Sequence, residues 1–139
     1  MLKKSYITPA TLPDWSSYFS QIAVVEKHGM KMIYLAGQVG VDRQKNLVGN
    51  GTLRDQLQQT FSNLETALAT VDAKITDMVK MNIYVVNYQP EDAEAIGEIL
   101  RQYFPAGQIP PMSLIGVQAL AEPRFLVEVD AEAAIDADG

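Results

Sequence analysis

The sequence predicts an α+β fold, a mixed β-sheet covered on one face by two helices. Two apolar stripes have the spacing of helices, and five shorter segments have the apolar, β-branched character of strands. Each helix stands between strands in chain order, so parallel pairing is expected within the sheet. Because 139 residues suffice for one core, we expect a single domain over 1–139, with 136–139 as a disordered tail.

The first half of the chain predicts a hairpin followed by a helix. Strands at 22–26 and 32–39 flank Gly29, which tolerates the left-handed backbone of a tight turn. A helix is predicted over 53–72, because Thr52 with an acidic residue three positions later resembles a capping box. Its apolar residues recur at spacings of three and four: Leu53, Leu57, Phe61, Leu64, Leu68 and Val71.

A strand and a second helix follow. The strand at 78–86 alternates, and its predicted apolar face is formed by Val79, Met81, Ile83 and Val85. The second helix is expected to begin near Pro90, which suits a first helical position, and to stop at Pro105. Its predicted apolar stripe is formed by Ala93, Ile96, Leu100 and Phe104.

The segment 110–132 predicts two final strands joined by a short turn, within 112–120 and 125–135. Two helices can cover only one face of the resulting sheet. The other face mixes apolar and polar residues: Leu114, Leu120, Leu126, Tyr84, Val86, Glu128 and Gln118. This mixture is too apolar for free solvent and too polar for a core, which favours a subunit interface over a monomer with a half-solvated sheet.

The composition argues against several classes of protein. The net charge is −6 and the 11 basic residues are scattered, so nucleic acid is not expected as a partner. The chain has no cysteine and one histidine, which argues against disulfides, a transition-metal site and thiolate chemistry. No apolar run approaches the roughly 20 residues that span a bilayer, and no signal peptide is apparent, so a cytoplasmic protein is expected.

Five segments in chain order carry a family resemblance: 18–22 (Tyr-Phe-Ser-Gln-Ile), 33–38 (Ile-Tyr-Leu-Ala-Gly-Gln), 56–68, 77–85 and 110–131. Together they resemble the YjgF/Rid family, also labelled the L-PSP endoribonuclease family, and the likeness runs from about residue 5 to 135. The resemblance implies a chorismate-mutase-like fold. It also implies a homotrimer whose sheets form a central barrel, with a small-molecule cleft at each subunit interface. No cofactor is expected.

The resemblance also implies an activity. In typical members an arginine clamps the carboxylate of a 2-imino acid, water adds to the imine carbon, and ammonia leaves with a 2-oxo acid. That arginine falls on Met112 in this sequence, which offers neither charge nor donor. Since each charge-assisted hydrogen bond contributes about 1.5–3 kcal/mol, we expect carboxylate affinity to be roughly tenfold or more weaker.

Other cleft positions of the family also change. Its tyrosine falls on Phe19, its serine on Ala36 and its glutamate on Glu128, while main-chain donors are expected near Gly37 and Leu114. Three of the four polar groups have thus become apolar, which indicates a cleft reshaped for a less polar ligand.

Glu128 is the remaining candidate for acid–base chemistry. The alternation predicts that it shares a face with Met112, away from the helices, in an apolar cleft that would raise its pKa. The structural alternatives are a solvated acidic row for Glu128 and simple packing for Met112. Whether Arg43 or Arg124 replaces the missing arginine stays open.

Three functions remain at this point. The first is a deaminase-like hydrolase of an imine or enamine, acting without the arginine clamp. The second is a non-catalytic trimer that binds a small ligand. The third, an endoribonuclease, ranks last because an acidic chain with one histidine offers no obvious base or phosphate-binding cations.

Overall fold

A six-stranded sheet with strand order β1-β2-β3-β6-β4-β5 organises the chain. In this computed structural model, which describes residues 1–138, only β4 and β5 pair in parallel. The elements are β1 (Lys3–Ile7), β2 (Ile22–Lys27), β3 (Met30–Gln38), α1 (Leu53–Thr70), a short 3₁₀ helix (Ile75–Asp77), β4 (Met78–Val86), α2 (Asp92–Tyr103), β5 (Met112–Val117) and β6 (Val127–Asp136). The predicted mixed sheet with two helices is confirmed.

The predicted hairpin is also confirmed, between β2 and β3. His28 and Gly29 both have left-handed backbones, with φ of 54° and 77°. Two consecutive residues of this kind form the tight turn whose twist matches that of paired strands.

The helices begin where local hydrogen bonds permit. At α1 the Thr52 hydroxyl accepts from the Asp55 amide at 3.1 Å, so half of the predicted capping box forms. The Asp55 carboxylate accepts instead from the Asn50 amide at 2.8 Å. Helix α2 begins two residues later than predicted, because the Asp92 carboxylate accepts from the Gln89 amide at 2.9 Å and closes a turn around Pro90.

The main core lies between the helices and one face of the sheet. Phe61, Leu64 and Leu68 of α1 are fully buried, and α1 packs on β3 and β6. Phe61 stacks on Tyr103 of α2 with ring centroids 5.2 Å apart, which ties the two helices together. Ala93, predicted in the α2 stripe, is exposed, and Ile99 is buried in its place.

Two features of the sheet differ from the prediction. Strand β1 was not predicted, because it is an exposed edge strand whose Lys3 and Lys4 give no apolar alternation. Val79 is 43% exposed, since a register irregularity between Met78 and Lys80 puts Met78 into the core instead.

The C-terminal hairpin was predicted wrongly. Strand β4 lies between β5 and β6, so the two final strands are not neighbours. Strand β5 ends at Val117, and the connection that follows carries Leu120 and Phe125 to a second apolar cluster beside Val39 and Val41. This connection is therefore not a tight turn but a longer segment whose apolar side chains pack into the second cluster.

The C-terminal residues are more ordered than the predicted tail at 136–139. Strand β6 extends to Asp136, and the Ala137 amide donates to the Gly29 carbonyl at 2.8 Å. Gly139 lies outside the described residues. In residues 1–138, no helix has the length and apolar character needed to cross a bilayer.

Candidate functional site

The face of the sheet opposite the helices carries the acidic residues of β6. Val127, Val129 and Ala131 are buried toward the helices, so the alternating Glu128 and Asp130 point to the open face. In the strand register, Glu128 and Asp130 lie opposite Tyr84 and Asn82 of β4.

Glu128 and Asp130 have different surroundings. Asp130 accepts hydrogen bonds from Asn82 Nδ2 at 2.9 Å and from the Tyr84 hydroxyl at 3.0 Å. Within residues 1–138 no group donates a hydrogen bond to the Glu128 carboxylate. Burial raises the pKa of Glu128 above its ordinary value, and the nearby negative charge of Asp130 raises that pKa further.

Gly37 makes room for the Glu128 carboxyl group. It lies in the register irregularity of β3 between Leu35 and Gln38. A Cβ atom at position 37 would fall 2.6 Å from Glu128 Cδ and would also overlap the carboxylate oxygen Oε2. Only glycine therefore permits Glu128 to hold this position against the backbone of β3.

The carboxyl group faces a cavity of about 400 Å³ at the edge of the open face. Aromatic rings form much of its wall, and its principal lining residues are Trp15, Tyr18, Phe19, Gly37, Phe125 and Glu128. Phe19 is 44% exposed, so the cavity opens toward solvent on that side. A carboxylate beside such walls loses part of its hydration, which is the physical cause of its raised pKa.

Buried amide side chains fasten the chain segment that carries Trp15 and Phe19. Gln38 Nε2 of β3 donates to Gln21 Oε1 at 2.7 Å, and Gln21 Nε2 donates to the Pro13 carbonyl at 3.1 Å. These bonds attach the start of the aromatic segment to the strand that carries Gly37.

A second set of amide bonds fastens the opposite wall. Gln56 of α1 accepts from the Leu126 amide at 2.9 Å and donates to the Arg124 carbonyl at 3.0 Å. Asn63 Nδ2 donates to the carbonyls of Val39 and Val41, each at 2.9 Å. Helix α1 thus positions both the Phe125 segment and the end of β3.

Two cations lie over aromatic rings of the cavity wall. The Lys45 ammonium is 4.3 Å from the centroid of the Trp15 ring, and the Arg124 guanidinium is 5.0 Å from that of Phe125. Arg124 donates through Nε to Glu122 and through Nη1 to the Lys45 carbonyl, both at 2.8 Å. Neither Arg43 nor Arg124 is among the residues of this chain that line the cavity.

The structure brings three of the predicted site residues together and separates the others. Phe19, Gly37 and Glu128 line the same cavity. Ala36 lines a neighbouring depression of about 390 Å³, beside Tyr6 and Tyr34.

The predicted common face for Met112 and Glu128 is wrong within one chain. The parallel register pairs Met112 with Met81 and Leu114 with Ile83, and both β4 partners are buried under the helices. Register partners point to the same face of a sheet, so Met112 and Leu114 lie on the opposite face from Glu128. Met112 is half-buried and packs against the main core.

Sequence reasoning missed Trp15, Tyr18 and Phe125 as parts of the wall. The available signal was a concentration of aromatic residues just before the Ser-Gln pair at 20–21, including the only tryptophan of the chain. Phe125 was assigned to a strand, whereas it precedes β6. No group of three or more His, Cys, Asp or Glu side chains suited to hold a metal occurs in the part of the chain that the structure describes.

Comparison with known proteins now identifies the family. The family model described as Endoribonuclease L-PSP matches residues 11–135. The chain belongs to this family, which is the YjgF/Rid family. A 2-iminobutanoate/2-iminopropanoate deaminase of Dermatophagoides farinae is 32% identical over 104 residues, covering 75% of this chain and 78% of the relative. The human protein of the same name is 25% identical and covers 74% of this chain and 71% of its own length.

Solved structures of Rid-family proteins have the same fold. The Rid-family protein YyfB of Yersinia pestis is 34% identical, with a TM-score of 0.72 and coverage of 95% of this chain and 98% of that one. RidA of the Antarctic bacterium Psychrobacter gives a TM-score of 0.78 at 21% identity, covering 94% and 99%.

Proposed function

We propose that this Rid-family protein hydrolyses small imines that lack an α-carboxylate, with Glu128 as the group that transfers protons. The observation that carries the proposal is the position of Glu128, whose carboxylate faces an aromatic-lined cavity and accepts no hydrogen bond within residues 1–138. Relatives named 2-iminobutanoate/2-iminopropanoate deaminase support imine chemistry in this family.

The proposed reaction begins with a protonated imine and a water molecule beside ionised Glu128. The water oxygen bonds to the imine carbon, the π electrons of the C=N bond move to nitrogen, and Glu128 takes a proton from the water. Glu128 then returns this proton to the nitrogen of the resulting carbinolamine. The C–N bond breaks, ammonia leaves, and the hydroxyl proton passes through Glu128 to give a carbonyl product and ammonium.

The environment of Glu128 suits both halves of this reaction. A general base must be ionised when water attacks, and a general acid must hold its proton until the amine leaves. A carboxyl group with an ordinary pKa is a weak base at neutral pH. Burial beside the aromatic walls raises the pKa of Glu128 and so makes its carboxylate a stronger base.

The absence of an α-carboxylate from the substrate follows from the lining of the cavity. No lysine or arginine is among the residues from 1 to 138 that line it. A carboxylate placed there would lack the bidentate partner that an arginine provides, and it would lie near the negative charge of Glu128. Imines without a carboxylate, and their enamine tautomers, need no bidentate partner and are not repelled by the negative charge of Glu128.

Ammonia release from imines generated in solution tests the proposal. The wild-type protein should accelerate hydrolysis of an imine without a carboxylate more than that of 2-iminobutanoate. Glu128→Gln should abolish the acceleration, while Glu132→Gln, on the same face of β6, serves as the matched control. Binding of the imine without any turnover would support a non-catalytic ligand-binding protein instead.

We also propose that the open face is covered in a homotrimer. The face carries Tyr34 and Tyr84 among polar residues and is not covered by either helix. Because Met112 lies on the opposite face from Glu128 in one chain, a shared cleft requires Met112 from a second copy.

A substitution at position 112 tests this arrangement. Met112→Arg should give measurable turnover of 2-iminobutanoate, because an arginine supplied by a second copy would hold the substrate carboxylate. Val79→Arg adds the same charge at an exposed position of β4 and should give no gain. Sedimentation would verify that Met112→Arg is a folded trimer. If this trimer gains no activity, the shared cleft is contradicted.

A further inference from the structure

We propose that the cavity beside Glu128 selects an organic cation, and that the substrate of the proposed reaction is bound as its protonated iminium form. This inference rests on the proposed function, whose reaction begins with a protonated imine, and adds that the cavity itself prefers a cation to a neutral or anionic ligand. Three observations support the selection. They are the aromatic residues of the wall, the ion pairing of its two carboxylates, and the cation–π contacts that two of its rings already make.

The wall combines aromatic faces with acidic groups. Trp15, Tyr18, Phe19 and Phe125 contribute rings, and Glu122 and Glu128 contribute carboxylates. Lysine and arginine are absent from the lining residues that the structure describes. Aromatic faces carry negative potential and attract cations within about 6 Å of the ring centroid. Rings and carboxylates together therefore favour a positively charged ligand over an anion of the same size.

The two carboxylates of the wall are not equivalent. Glu122 is compensated by Arg124, whose Nε lies 2.8 Å from Glu122 Oε1. Glu128 forms no ion pair within 4 Å with any basic group of residues 1–138. Removing an ionised carboxylate from water without a partner is costly, and a bound cation reduces that cost. A planar iminium also offers N–H donors to a carboxylate that accepts none within the described chain.

Two rings of the cavity already accept cations from the protein. The Lys45 ammonium lies over Trp15 and the Arg124 guanidinium lies over Phe125, at 4.3 and 5.0 Å from the centroids. Both rings therefore already take part in cation–π contacts within the chain.

The same cations could instead be thought to attract an anionic ligand. Arg124 is already engaged by Glu122 and by the Lys45 carbonyl, which it meets at 2.8 Å. Lys45 is half-buried with its ammonium over the Trp15 ring, and it is not among the lining residues that the structure describes. The uncompensated charge that faces the cavity is therefore the negative one on Glu128.

Matched probes and the only tryptophan of the chain provide the experiment. Butyramidinium, butyramide and butyrate have the same size and planar head group but carry positive, zero and negative charge. Trp15 lines the cavity, so its fluorescence reports occupancy directly. We expect butyramidinium to bind about tenfold or more tightly than butyramide, and butyrate to bind least.

Two variants assign the preference to the site. Glu128→Gln should reduce the ratio of butyramidinium to butyramide affinity to near one, and Phe19→Leu should lower butyramidinium affinity severalfold. Glu132→Gln should leave the ratio unchanged. Circular dichroism confirms folding, and proton NMR of the probes provides a second measure of binding.

The inference and the proposed function fail in different ways. Equal affinity for the three probes, or preference for butyrate, would overturn cation selection even if imines are hydrolysed. Selective binding of butyramidinium without any imine turnover would retain the cation site and overturn the proposed reaction. Loss of the preference in Glu132→Gln as well as in Glu128→Gln would locate the cation on the acidic row rather than in the cavity.

Discussion

Glu128 and Asp130 are carboxylates two residues apart on the same strand and the same face, yet their surroundings differ. Asp130 is held by Asn82 and Tyr84, at 2.9 and 3.0 Å. Glu128 accepts no hydrogen bond within residues 1–138 and faces a cavity with aromatic walls. The fold thus satisfies one carboxylate internally and leaves the other available for a ligand.

The cause of this difference lies in the neighbouring strands. Glu128 lies opposite Tyr84 of β4, but the Tyr84 hydroxyl donates to Asp130, as Asn82 also does. On the β3 side, position 128 lies beside Gly37, which has no side chain. Two acidic residues with the same place in the alternation can therefore have different roles. Their roles depend on residues that are distant in the sequence.

The largest expected effect is on imine hydrolysis, when the charge of Glu128 or of Asp130 is removed. Glu128→Gln should lower imine hydrolysis by about a hundredfold or more, the usual contribution of a general acid–base group. Asp130→Asn should lower it only severalfold, because Asp130 acts through its charge on Glu128. Steady-state ammonia release from both variants measures the ratio. Equal losses in the two variants would remove the distinction between the carboxylates.

A smaller effect is expected from filling the space that Gly37 leaves. Gly37→Ala introduces a Cβ atom that would lie 2.6 Å from Glu128 Cδ, so the carboxyl group must move. Turnover should fall by about tenfold, since small displacements of catalytic groups are costly. Gly97→Ala on α2, where the nearest obstacle is the flexible Arg101 side chain at 3.1 Å, is the control. Unchanged turnover in folded Gly37→Ala would contradict the proposed position of Glu128.

The smallest expected effect is on the free energy of unfolding, and it has opposite signs for substitutions at positions 128 and 130. Because burial raises the pKa of Glu128 in the folded chain, its stabilising contribution is present at low pH. That contribution is lost as the pH rises from the unfolded to the folded pKa. Glu128→Gln should therefore be as stable as wild type or slightly more stable at pH 7.

Asp130→Asn should instead destabilise the protein by about 1 kcal/mol, because it weakens two hydrogen bonds to a charged acceptor. Urea unfolding of both variants at neutral and acidic pH tests the pair. A clear loss of stability in Glu128→Gln at neutral pH would indicate a structural role for that carboxylate.

The sequence predicted the elements whose patterns are local. The stripe containing Phe61 and Leu64 placed α1 within two residues of its end, and Gly29 correctly marked the hairpin. The alternation of β6 correctly put Glu128 on the open face. Such patterns depend on the period of a single element, so they can be read without knowing its neighbours.

The sequence did not predict which strands are neighbours. Met112 was assigned to the face of Glu128 because 110–132 was interpreted as a hairpin, whereas β4 separates the two strands and sets their register. The wall residues Trp15 and Phe125 were missed for a related reason. They lie in segments fixed by distant amides, including Gln21 and Gln56, and amide partners leave no periodic pattern.

The proposed role of Glu128 as the proton-transferring group is tested by titrating Glu128 itself. Carbon-13 NMR of the glutamate side-chain carboxyl groups, assigned with Glu128→Gln, gives its pKa in the folded protein. We expect a midpoint above the ordinary value of 4.5, with imine turnover rising over the same pH range as the carboxylate ionises. A midpoint at or below 4.5, or turnover that does not follow this titration, would contradict this role of Glu128.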